Sequence, residues 1–294
     1  MVSLKLFRAV KHEMKTVEEI LSKSVPLANR IRQDAIRMSH RTHASHLSGV
    51  LSVADIVAVL YSGVANVDPA NPRKADRDRI VLSKGHNGMA IYATLAETGF
   101  FPREELNKYY TDGSCYSGHV SHKGIPGVEL STGSLGQGVG VACGMALAGK
   151  MAQKTHQVYA IMGDGENEEG SVWEMALLAA HQRLDNLTVI VDHNNMQAMG
   201  FCDEQAGLTH LADKWRAFDW QVIEVSDGND HRQLVEAFER HEPNKPRVIV
   251  AHTVKGKGVS FMENDLLWHY RDPQGKFFED AIRELGGDPT CETI

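Results

Sequence analysis

The sequence predicts an α/β fold in which a mostly parallel sheet is covered by helices on both faces. The clearest observation is a strand–helix–strand pattern in residues 158–196, where one apolar run ends at Met162 and a second runs from Leu187 to Val191. Strand-like and helix-like segments continue to alternate beyond it, which is typical of parallel sheets. A right-handed crossover brings both strand ends to one edge of the sheet, where open α/β sheets bind ligands.

The segments before this unit predict helices and one strand. The first helix has apolar residues at helical spacing, namely Leu27, Ile31, Ala35 and Met38. Its basic residues are expected on a solvated face, namely Arg30, Arg32 and Arg37. A run resembling a capping box, Ser52 to Asp55, predicts the start of a second helix that continues through Tyr61. Ile80 to Leu82 predicts a short strand, and Pro102 suits the first turn of a helix that ends near Tyr110.

A glycine-rich helix is predicted next. Its repeat at i+4 spacing consists of Gly136, Gly140, Gly144 and Ala148. Glycine inside a helix costs about 1 kcal/mol relative to alanine, so several on one side indicate that another backbone approaches closely. That backbone could belong to the sheet or to a neighbouring chain, and the sequence favours neither.

The central unit and the segments after it supply the remaining elements. The helix between the two strands is predicted from Trp173, Ala176, Leu177 and Ala180. Later strands are predicted at 220–225 and 248–251, and later helices at 211–218, 234–238 and 275–286. The chain is divided into a variable, charged lead-in, residues 1–24, and a single domain, residues 25–294.

The composition argues against several classes of function. The chain has 31 basic and 38 acidic residues, and its net charge of −7 argues against non-specific binding of nucleic acid. Its four cysteines form no CxxC pair, so reduced thiols in a cytoplasmic protein are the simplest interpretation. No secretory signal is visible, and the longest apolar stretch, about residues 139–148, is too short to span a membrane.

Oxygen-bearing side chains follow both strands of the central unit. Asp164 lies between two glycines after the first strand, and Asn194 follows the second strand, with the carbonyl of Met196 just beyond. Each motif alone is more often a surface turn or loop. Together, at neighbouring strand ends, they favour a site in which a hard cation such as Mg²⁺ holds a diphosphate, because Mg²⁺ prefers oxygen ligands from protein, phosphate and water.

The spacing of these motifs resembles that of a known family. A GDG motif, then 28 residues, then NN resembles the motif shared by many thiamine diphosphate enzymes. Three further segments resemble transketolase segments in the family's order: residues 82–86 (LSKGH), residues 132–138 (TGSLGQG), and residues 255–258 (KGKG) followed by Trp268-His269. The resemblance runs from about residue 25 to about residue 272 and covers the first half of a full-length transketolase. It implies the N-terminal, diphosphate-binding subunit of a split enzyme.

The resemblance also implies roles for particular residues. The metal, Mg²⁺ with Ca²⁺ or Mn²⁺ as substitutes, would be bound by Asp164, Asn194 and the Met196 carbonyl. The coenzyme would be bound by His86, Gly133, Ser134, Leu135, Gly165, Asn194, Lys255 and His269. The catalytic residues would be His46, His119 and His269, acting in proton transfer and in polarising a carbonyl or alkoxide.

The resemblance also bears on Glu169 and Gly49. Glu166, Glu168 and Glu169 form an acidic run, which is usually a solvated face. By resemblance, Glu169 belongs to a network that reaches the subunit boundary. Gly49 offers only its backbone where some relatives carry a serine near the diphosphate.

The resemblance predicts transfer of a two-carbon ketol unit from a ketose to an aldose, either of which could be a sugar phosphate. A second chain would supply the pyrimidine-binding domain, its catalytic glutamate and most sugar-phosphate contacts, in an assembly with two copies of each chain. Two alternatives with a similar coenzyme motif are a deoxyxylulose-phosphate synthase and the α chain of a 2-oxoacid dehydrogenase. A coenzyme-binding module without catalysis is an alternative of another class.

Overall fold

A five-stranded sheet forms the centre of the computed structural model, which describes residues 15–202 and 207–294. Its strands are β1 (Arg79–Leu82), β2 (Val158–Gly163), β3 (Leu187–His193), β4 (Gln221–Val225) and β5 (Arg247–His252). They lie in the order β1-β2-β3-β5-β4, and every neighbouring pair is parallel. The predicted parallel sheet is confirmed.

Helices cover both faces of this sheet. They are α1 (Val17–Thr42), α2 (Leu47–Val59), α3 (Gly88–Glu97), α4 (Gln137–Met151), α5 (Gly170–His181), α6 (Leu211–Ala217), α7 (His231–Glu239) and α8 (Lys276–Glu284). Helices α1, α2, α3, α7 and α8 pack on one face, and α4, α5 and α6 pack on the other. Successive strand residues point to opposite faces, so Ile161 joins the first cluster and Ala160 the second. The helices predicted on both faces are therefore confirmed.

The register of the sheet aligns the ends of β2 and β3. Gly163 pairs with Asp192, so the residues that follow each strand emerge at the same edge. Strand β5 extends this edge, because Asp192 also pairs with Ala251. The five residues from Val158 to Met162 are buried on both faces, which explains their continuous apolar pattern.

The first helix begins earlier than its apolar repeat indicated. Thr16 caps it in a capping box, in which its hydroxyl accepts the Glu19 amide at 3.3 Å and the Glu19 carboxylate accepts the Thr16 amide at 3.0 Å. Ile20 is fully buried, so part of the proposed lead-in is helical. Residues 1–14 lie outside the described residues, and the division of the chain at residue 25 stays a prediction.

Two sequence-based expectations for the first helices are wrong. Helix α2 begins at Leu47, so Ser52 lies inside the helix and does not cap it. Its hydroxyl instead donates to Asp192 at 2.6 Å, a tertiary contact that local sequence does not reveal. Arg32 is buried rather than solvated, because its guanidinium donates to Asp55 of helix α2. Arg37 is buried as well, and its Nε donates to the Cys291 carbonyl at 2.9 Å.

The glycine repeat of helix α4 does not face the sheet. Side chains built at Gly140 and Gly144 would meet no atom within 4 Å, so that side of the helix is open. The close approach to the sheet falls at Gly138, where a Cβ atom would lie 2.6 Å from the Ser83 hydroxyl oxygen. Of the two interpretations of the repeat, packing on the sheet is therefore wrong.

Two further predictions need correction. The segment after Pro102 is a 3₁₀ helix, Arg103–Lys108, and not an α-helix. Among the described residues, the segment that is long and apolar enough to cross a membrane is Leu47–Val64 and not residues 139–148. It is 89% buried within the fold, and its apolar character is that of a core helix packed against α1 and α3.

Candidate active site

A cavity opens at the carboxyl ends of β2 and β3, where the sequence placed the site. The predicted site residues that line it are His46, His86, Leu135, Asp164, Gly165, Asn194, Met196, Lys255 and His269. They come from six loops, four of which follow the parallel strands β1, β2, β3 and β5, while the other two precede helices α2 and α4. Gly133, Ser134 and His119 do not line this cavity.

Asp164 presents one oxygen atom without a close partner. Its Oδ1 accepts the Gly165 amide at 2.8 Å, which fixes the carboxylate at the end of β2. The buried Oδ2 accepts no hydrogen bond from the described residues, and the His193 Nδ1 atom lies 3.5 Å away. Burial opposes ionisation of Asp164, but His193, the Gly165 amide and Lys255 outweigh it and lower the pKa below its ordinary value. The group is therefore an anion with coordination capacity to spare.

Asn194 and Met196 are held close to each other in the loop after β3. The Met196 amide donates to Asn194 Oδ1 at 3.2 Å, and Asn194 Nδ2 lies 3.4 Å from the Ser52 hydroxyl oxygen. The Met196 carbonyl accepts the Lys255 ammonium at 2.7 Å. Burial lowers the pKa of Lys255 to about 8, so the ammonium remains mostly charged at neutral pH.

This donor set fits a hard divalent cation bound together with a diphosphate. It consists of one carboxylate, one amide oxygen and one main-chain carbonyl, all oxygen atoms. Mg²⁺ bound to so few protein ligands takes the remaining ones from phosphate and water. Such a cation would explain the buried Oδ2 of Asp164, which accepts no hydrogen bond from the described residues.

A second charged group in the cavity was not predicted. Lys84 is buried and its ammonium donates to Asp192, which is 0% exposed. Asp192 also accepts the Ser52 hydroxyl at 2.6 Å and the Thr253 hydroxyl. Lys84 belongs to the LSKGH segment, residues 82–86, but a lysine is ordinarily expected at the surface. Only its carboxylate partner on another strand allows this one to be buried.

Glu166 was also missed, because it lies in the acidic run expected on a solvated face. It is 1% exposed, and its carboxylate accepts the Gly136 amide at 2.9 Å and the Ser83 hydroxyl. Burial raises its pKa despite these donors. Glu166 therefore joins the start of helix α4 to the ends of β1 and β2, whereas Glu168 and Glu169 are exposed.

The histidines form a cluster at the mouth of the cavity. The His46 ring lies at its centre, 5.0 Å from His86, 5.2 Å from His269 and 6.3 Å from His119 between ring centroids. The His46 amide donates to the His269 carbonyl at 2.8 Å, which ties the loop before α2 to the loop after β5. His46 adopts a left-handed backbone conformation with φ of 68°.

Three of these histidines, His46, His86 and His269, are mainly neutral near pH 7. Burial, together with nearby Lys255 and His46, lowers the pKa of His269 to about 4. Burial, Lys84 and the other histidines lower the pKa of His86 well below its ordinary value. Burial, His119 and Lys255 also lower the pKa of His46. Neutral imidazoles can accept a proton from a hydroxyl or donate a hydrogen bond to it.

A second cavity adjoins the first through His46. It is lined by His43, Ala44, Ser45, His46, Tyr109, Tyr110, Ser117, Gly118 and His119. His119 therefore shares the cluster but faces the neighbouring space. Gly133 lies beside His119, because a Cβ atom on it would come 3.6 Å from the His119 ring. Both Gly133 and Ser134 are exposed.

Gly49 lies where a side chain would not fit without movement. A Cβ atom on it would come 2.8 Å from Asn87 Nδ2, which donates to the His46 carbonyl at 3.2 Å. Asn87 Oδ1 is buried and has no hydrogen-bond partner among the described residues. The glycine thus leaves the floor of the cavity open beside Asn87 and His86.

Comparisons with known proteins agree with this geometry. Residues 24–276 match the family described as transketolase, thiamine diphosphate binding domain. The chain is 38% identical over 256 residues to an apulose-4-phosphate transketolase subunit of Phocaeicola vulgatus, covering 86% of this chain and 90% of that protein. It is 40% identical over 260 residues to a 6-deoxy-6-sulfo-D-fructose transketolase subunit of a Clostridium species, covering 88% and 94%.

Solved structures show the same fold within longer chains. The transketolase of Campylobacter jejuni matches with a TM-score of 0.84 at 29% identity, over 92% of this chain but 43% of that one. The transketolase of Leishmania mexicana gives the same TM-score and identity over 95% and 42%. The chain thus spans less than half of these enzymes but nearly all of the subunit-type relatives. It belongs to the transketolase family and carries that family's thiamine diphosphate-binding domain.

Proposed function

We propose that this chain is the diphosphate-binding subunit of a two-chain transketolase, which moves a two-carbon ketol unit from a ketose to an aldose. The observation that carries the proposal is the convergence of two groups of residues in adjoining cavities. The proposed cation and diphosphate ligands lie at the sheet edge, and a cluster of histidines lies at the mouth.

The coenzyme end of the cavity would bind thiamine diphosphate through charge and backbone. When bound, thiamine diphosphate supplies the carbon nucleophile and electron sink for breaking and forming carbon–carbon bonds. Asp164, Asn194 and the Met196 carbonyl would hold Mg²⁺, or Ca²⁺ or Mn²⁺ in its place, against the diphosphate. Lys255 would contribute a point charge to the phosphates, beside the Gly165 backbone. Leu135 would pack on the coenzyme, with Gly133 and Ser134 in the adjoining loop.

The histidines would handle protons and hydroxyl groups of the sugar. Because burial keeps His86 and His269 neutral, each can accept a proton near pH 7 without first losing one, and can return that proton in a later step. His46 stands between the two cavities and can serve the reacting carbons from either side. His119 would hold the sugar from the second cavity.

The sugar substrates and the second chain belong to the same proposal. The names of the two subunit-type relatives specify an apulose phosphate and a sulfonated fructose, both sugars with an anionic end. A second polypeptide would supply the pyrimidine-binding domain, its glutamate and most contacts to that anionic end. A cytoplasmic location fits the free cysteines, Cys115, Cys143, Cys202 and Cys291.

Self-association would use the open side of helix α4 and the neighbouring helix α5. Gly140 and Gly144 leave that side of α4 without side chains, and Val141 beside them is exposed. On α5, Leu177 and Leu178 are exposed, although the apolar repeat predicted that Leu177 would be buried. A second copy packed here would bury these residues, giving two copies of each chain around a twofold axis. Glu169, at the start of α5, would then lie at the subunit boundary.

The decisive experiment measures ketol transfer with purified chains. This chain alone, with Mg²⁺ and thiamine diphosphate, is expected to bind the coenzyme but to transfer little, and addition of the partner chain should restore turnover. Full activity of this chain alone would contradict the two-chain proposal. Consumption of a 2-oxoacid with release of carbon dioxide would favour the synthase or dehydrogenase alternatives, and binding without turnover would favour the non-catalytic module.

A matched variant tests the metal site. Asp164→Asn keeps the size of the side chain and removes its charge, so coenzyme affinity in the presence of Mg²⁺ should fall by about 100-fold with little change in the melting temperature. Isothermal titration calorimetry measures this affinity. Unchanged affinity would show that Asp164 does not bind the metal.

A further inference from the structure

Tyr270 stands at the mouth of the coenzyme cavity, on the histidine cluster. Its ring lies 4.7 Å from His269 and 5.9 Å from His46 between centroids, tilted steeply to both. It lines the same cavity as Lys84 and Lys255, yet 62% of the residue is exposed. Its hydroxyl makes no hydrogen bond within the described part of the chain, so both the ring and its polar tip are available to a ligand.

The loop that carries Tyr270 is firmly held on both sides. Trp268 is buried against Phe261 and Phe277, with ring centroids 5.2 and 5.3 Å away. The Arg271 guanidinium lies over the rings of Trp268 and Phe277, 5.1 and 4.6 Å from their centroids. The backbone on both sides of Tyr270 is therefore held in place although its own ring is exposed.

The two cavities define the path that a sugar would take across this ring. His46 lines both cavities, whereas Tyr270, whose ring lies beside His46, lines only the first. The second cavity is lined by histidine, serine, tyrosine, alanine and glycine, with no Lys, Arg, Asp or Glu among its lining residues in the described ranges. That lining suits the hydroxylated carbon chain of a sugar rather than its anionic end.

On these grounds, and resting on the proposed function, we propose that Tyr270 is a specificity-determining residue for the length of the sugar carbon chain. A tyrosine has an apolar ring and a polar tip, which suits the alternating C–H and O–H groups of a sugar. The first two carbons of a substrate would react within the first cavity. Carbons further along would pass His46 towards the second cavity, and the Tyr270 ring, 5.9 Å from the His46 ring, would contact those at the boundary between the two cavities.

The test uses the complete two-chain enzyme with Mg²⁺ and thiamine diphosphate. The variants are Tyr270→Ala, Tyr270→Phe and a matched control, Leu267→Ala. Leu267 lies in the same helical turn and is 68% exposed, but it lines neither cavity. Acceptors of increasing length, glycolaldehyde, glyceraldehyde and erythrose, are compared with one ketose donor that the unmodified enzyme uses.

Tyr270→Ala is expected to lower kcat/KM for erythrose by about threefold to tenfold, mainly through KM, and to leave glycolaldehyde nearly unchanged. Tyr270→Phe should keep most of the length preference because it keeps the ring. Leu267→Ala should leave all three acceptors unchanged. Coenzyme affinity and assembly with the partner chain should stay within about twofold of the unmodified enzyme in every variant.

Three outcomes would overturn the proposal. An equal loss on all acceptors would mean that Tyr270 does not sense chain length. A loss of coenzyme affinity would make it part of the coenzyme wall, and a loss of partner binding shared with Leu267→Ala would make it part of a docking surface. Failure of the unmodified two-chain enzyme to use any ketose would contradict the proposed function instead, before any variant is compared.

Discussion

Helix α2 contributes one polar side chain to each of two buried clusters. Through Asp55 it joins Arg32 and His231, and through Ser52 it joins Lys84 and Asp192. Both clusters contain an ion pair shielded from water. They differ in how completely the polar atoms around them are satisfied.

The cluster around Asp55 is closed, in the sense that its buried polar atoms all have hydrogen-bond partners among the described residues. Arg32 donates to both carboxylate oxygens and, at 3.0 and 3.1 Å, to the Leu51 carbonyl, while His231 bonds Asp55 at 2.9 Å and Ser24 at 2.6 Å. Asn229 adds a bond to Asp55 at 2.7 Å. The buried side-chain atoms of Arg32, Asp55 and His231 all have partners among the described residues. Such a cluster holds helices together, and its buried atoms have no unused hydrogen-bonding capacity for a ligand.

The cluster around Asp192 borders atoms that lack partners. Asp164 Oδ2, Asn87 Oδ1 and His269 Nδ1 are buried without hydrogen bonds from the described residues. A buried polar atom without a partner costs about 1–3 kcal/mol, so folded proteins usually avoid it. Three such atoms belong to residues that line one cavity, which marks it as a place where a ligand completes the bonding. Unsatisfied polar atoms therefore separate the functional cluster from the structural one better than burial or charge does.

The largest expected effect comes from opening the closed cluster. Arg32→Met should lower the free energy of unfolding by about 3–5 kcal/mol, because it leaves Asp55 buried without its main counter-ion. Coenzyme affinity of the protein that remains folded should hardly change. Urea unfolding followed by circular dichroism measures the loss. A change below about 1 kcal/mol would show that His231 and Asn229 suffice for Asp55.

Removing a histidine from the open region should affect turnover instead of stability. His86→Ala, His119→Ala and His269→Ala are each expected to lower kcat by about 100-fold to 10,000-fold in the two-chain enzyme. The melting temperature should change little. A variant that unfolds at room temperature but keeps normal turnover per folded molecule would identify that histidine as structural.

Lys84→Met is the counterpart of Arg32→Met in the open cluster. Asp192 keeps the hydroxyls of Ser52 and Thr253 as donors, so the loss of stability should be smaller than for Arg32→Met. Coenzyme affinity should fall by about tenfold, since a cation is lost from the diphosphate cavity. Calorimetric titration with thiamine diphosphate and Mg²⁺ measures the affinity. A larger loss of stability than in Arg32→Met would erase the contrast between the two clusters.

The smallest expected effect is a difference in response to acid. Burial opposes ionisation of Asp55, but Arg32 and His231 outweigh it and lower its pKa to about 2. The contribution of Asp55 to the free energy of unfolding is therefore complete above pH 3.8 and is lost as the pH falls through 2. Burial, Lys255 and His46 lower the pKa of His269 to about 4. The contribution of His269 to the free energy of unfolding is therefore complete above pH 6.5 and is lost as the pH falls through 4. Acid should therefore weaken the cavity before the closed cluster.

His269→Gln should flatten the dependence of unfolding free energy on pH between 6.5 and 4, and a slope equal to that of the unmodified protein would contradict the assignment.

Much of the fold follows from local sequence. The apolar runs of β2 and β3 are buried on both faces and can therefore be recognised without knowing their neighbours. The apolar repeat of α1 also predicted its buried face, because Leu27 and Ile31 recur at the helical period. The positions of Asp164 and Asn194 at neighbouring strand ends follow from the parallel connection alone.

Only the tertiary structure decided which polar residues are buried. Three charged residues would be expected at the surface from their sequence, namely Arg32, Lys84 and Glu166. Each is buried together with a hydrogen-bond partner more than 20 residues away along the chain. No local pattern encodes such a partner, because its distance along the chain is set by the topology. The glycine repeat of α4 has the same origin, since the sequence shows a side without side chains but not what faces it. The sequence by itself determined the order of the strands along the chain and the chemistry at their ends. Packing determined which charges meet, because the energy of burying a charge depends on the partner that the fold brings to it.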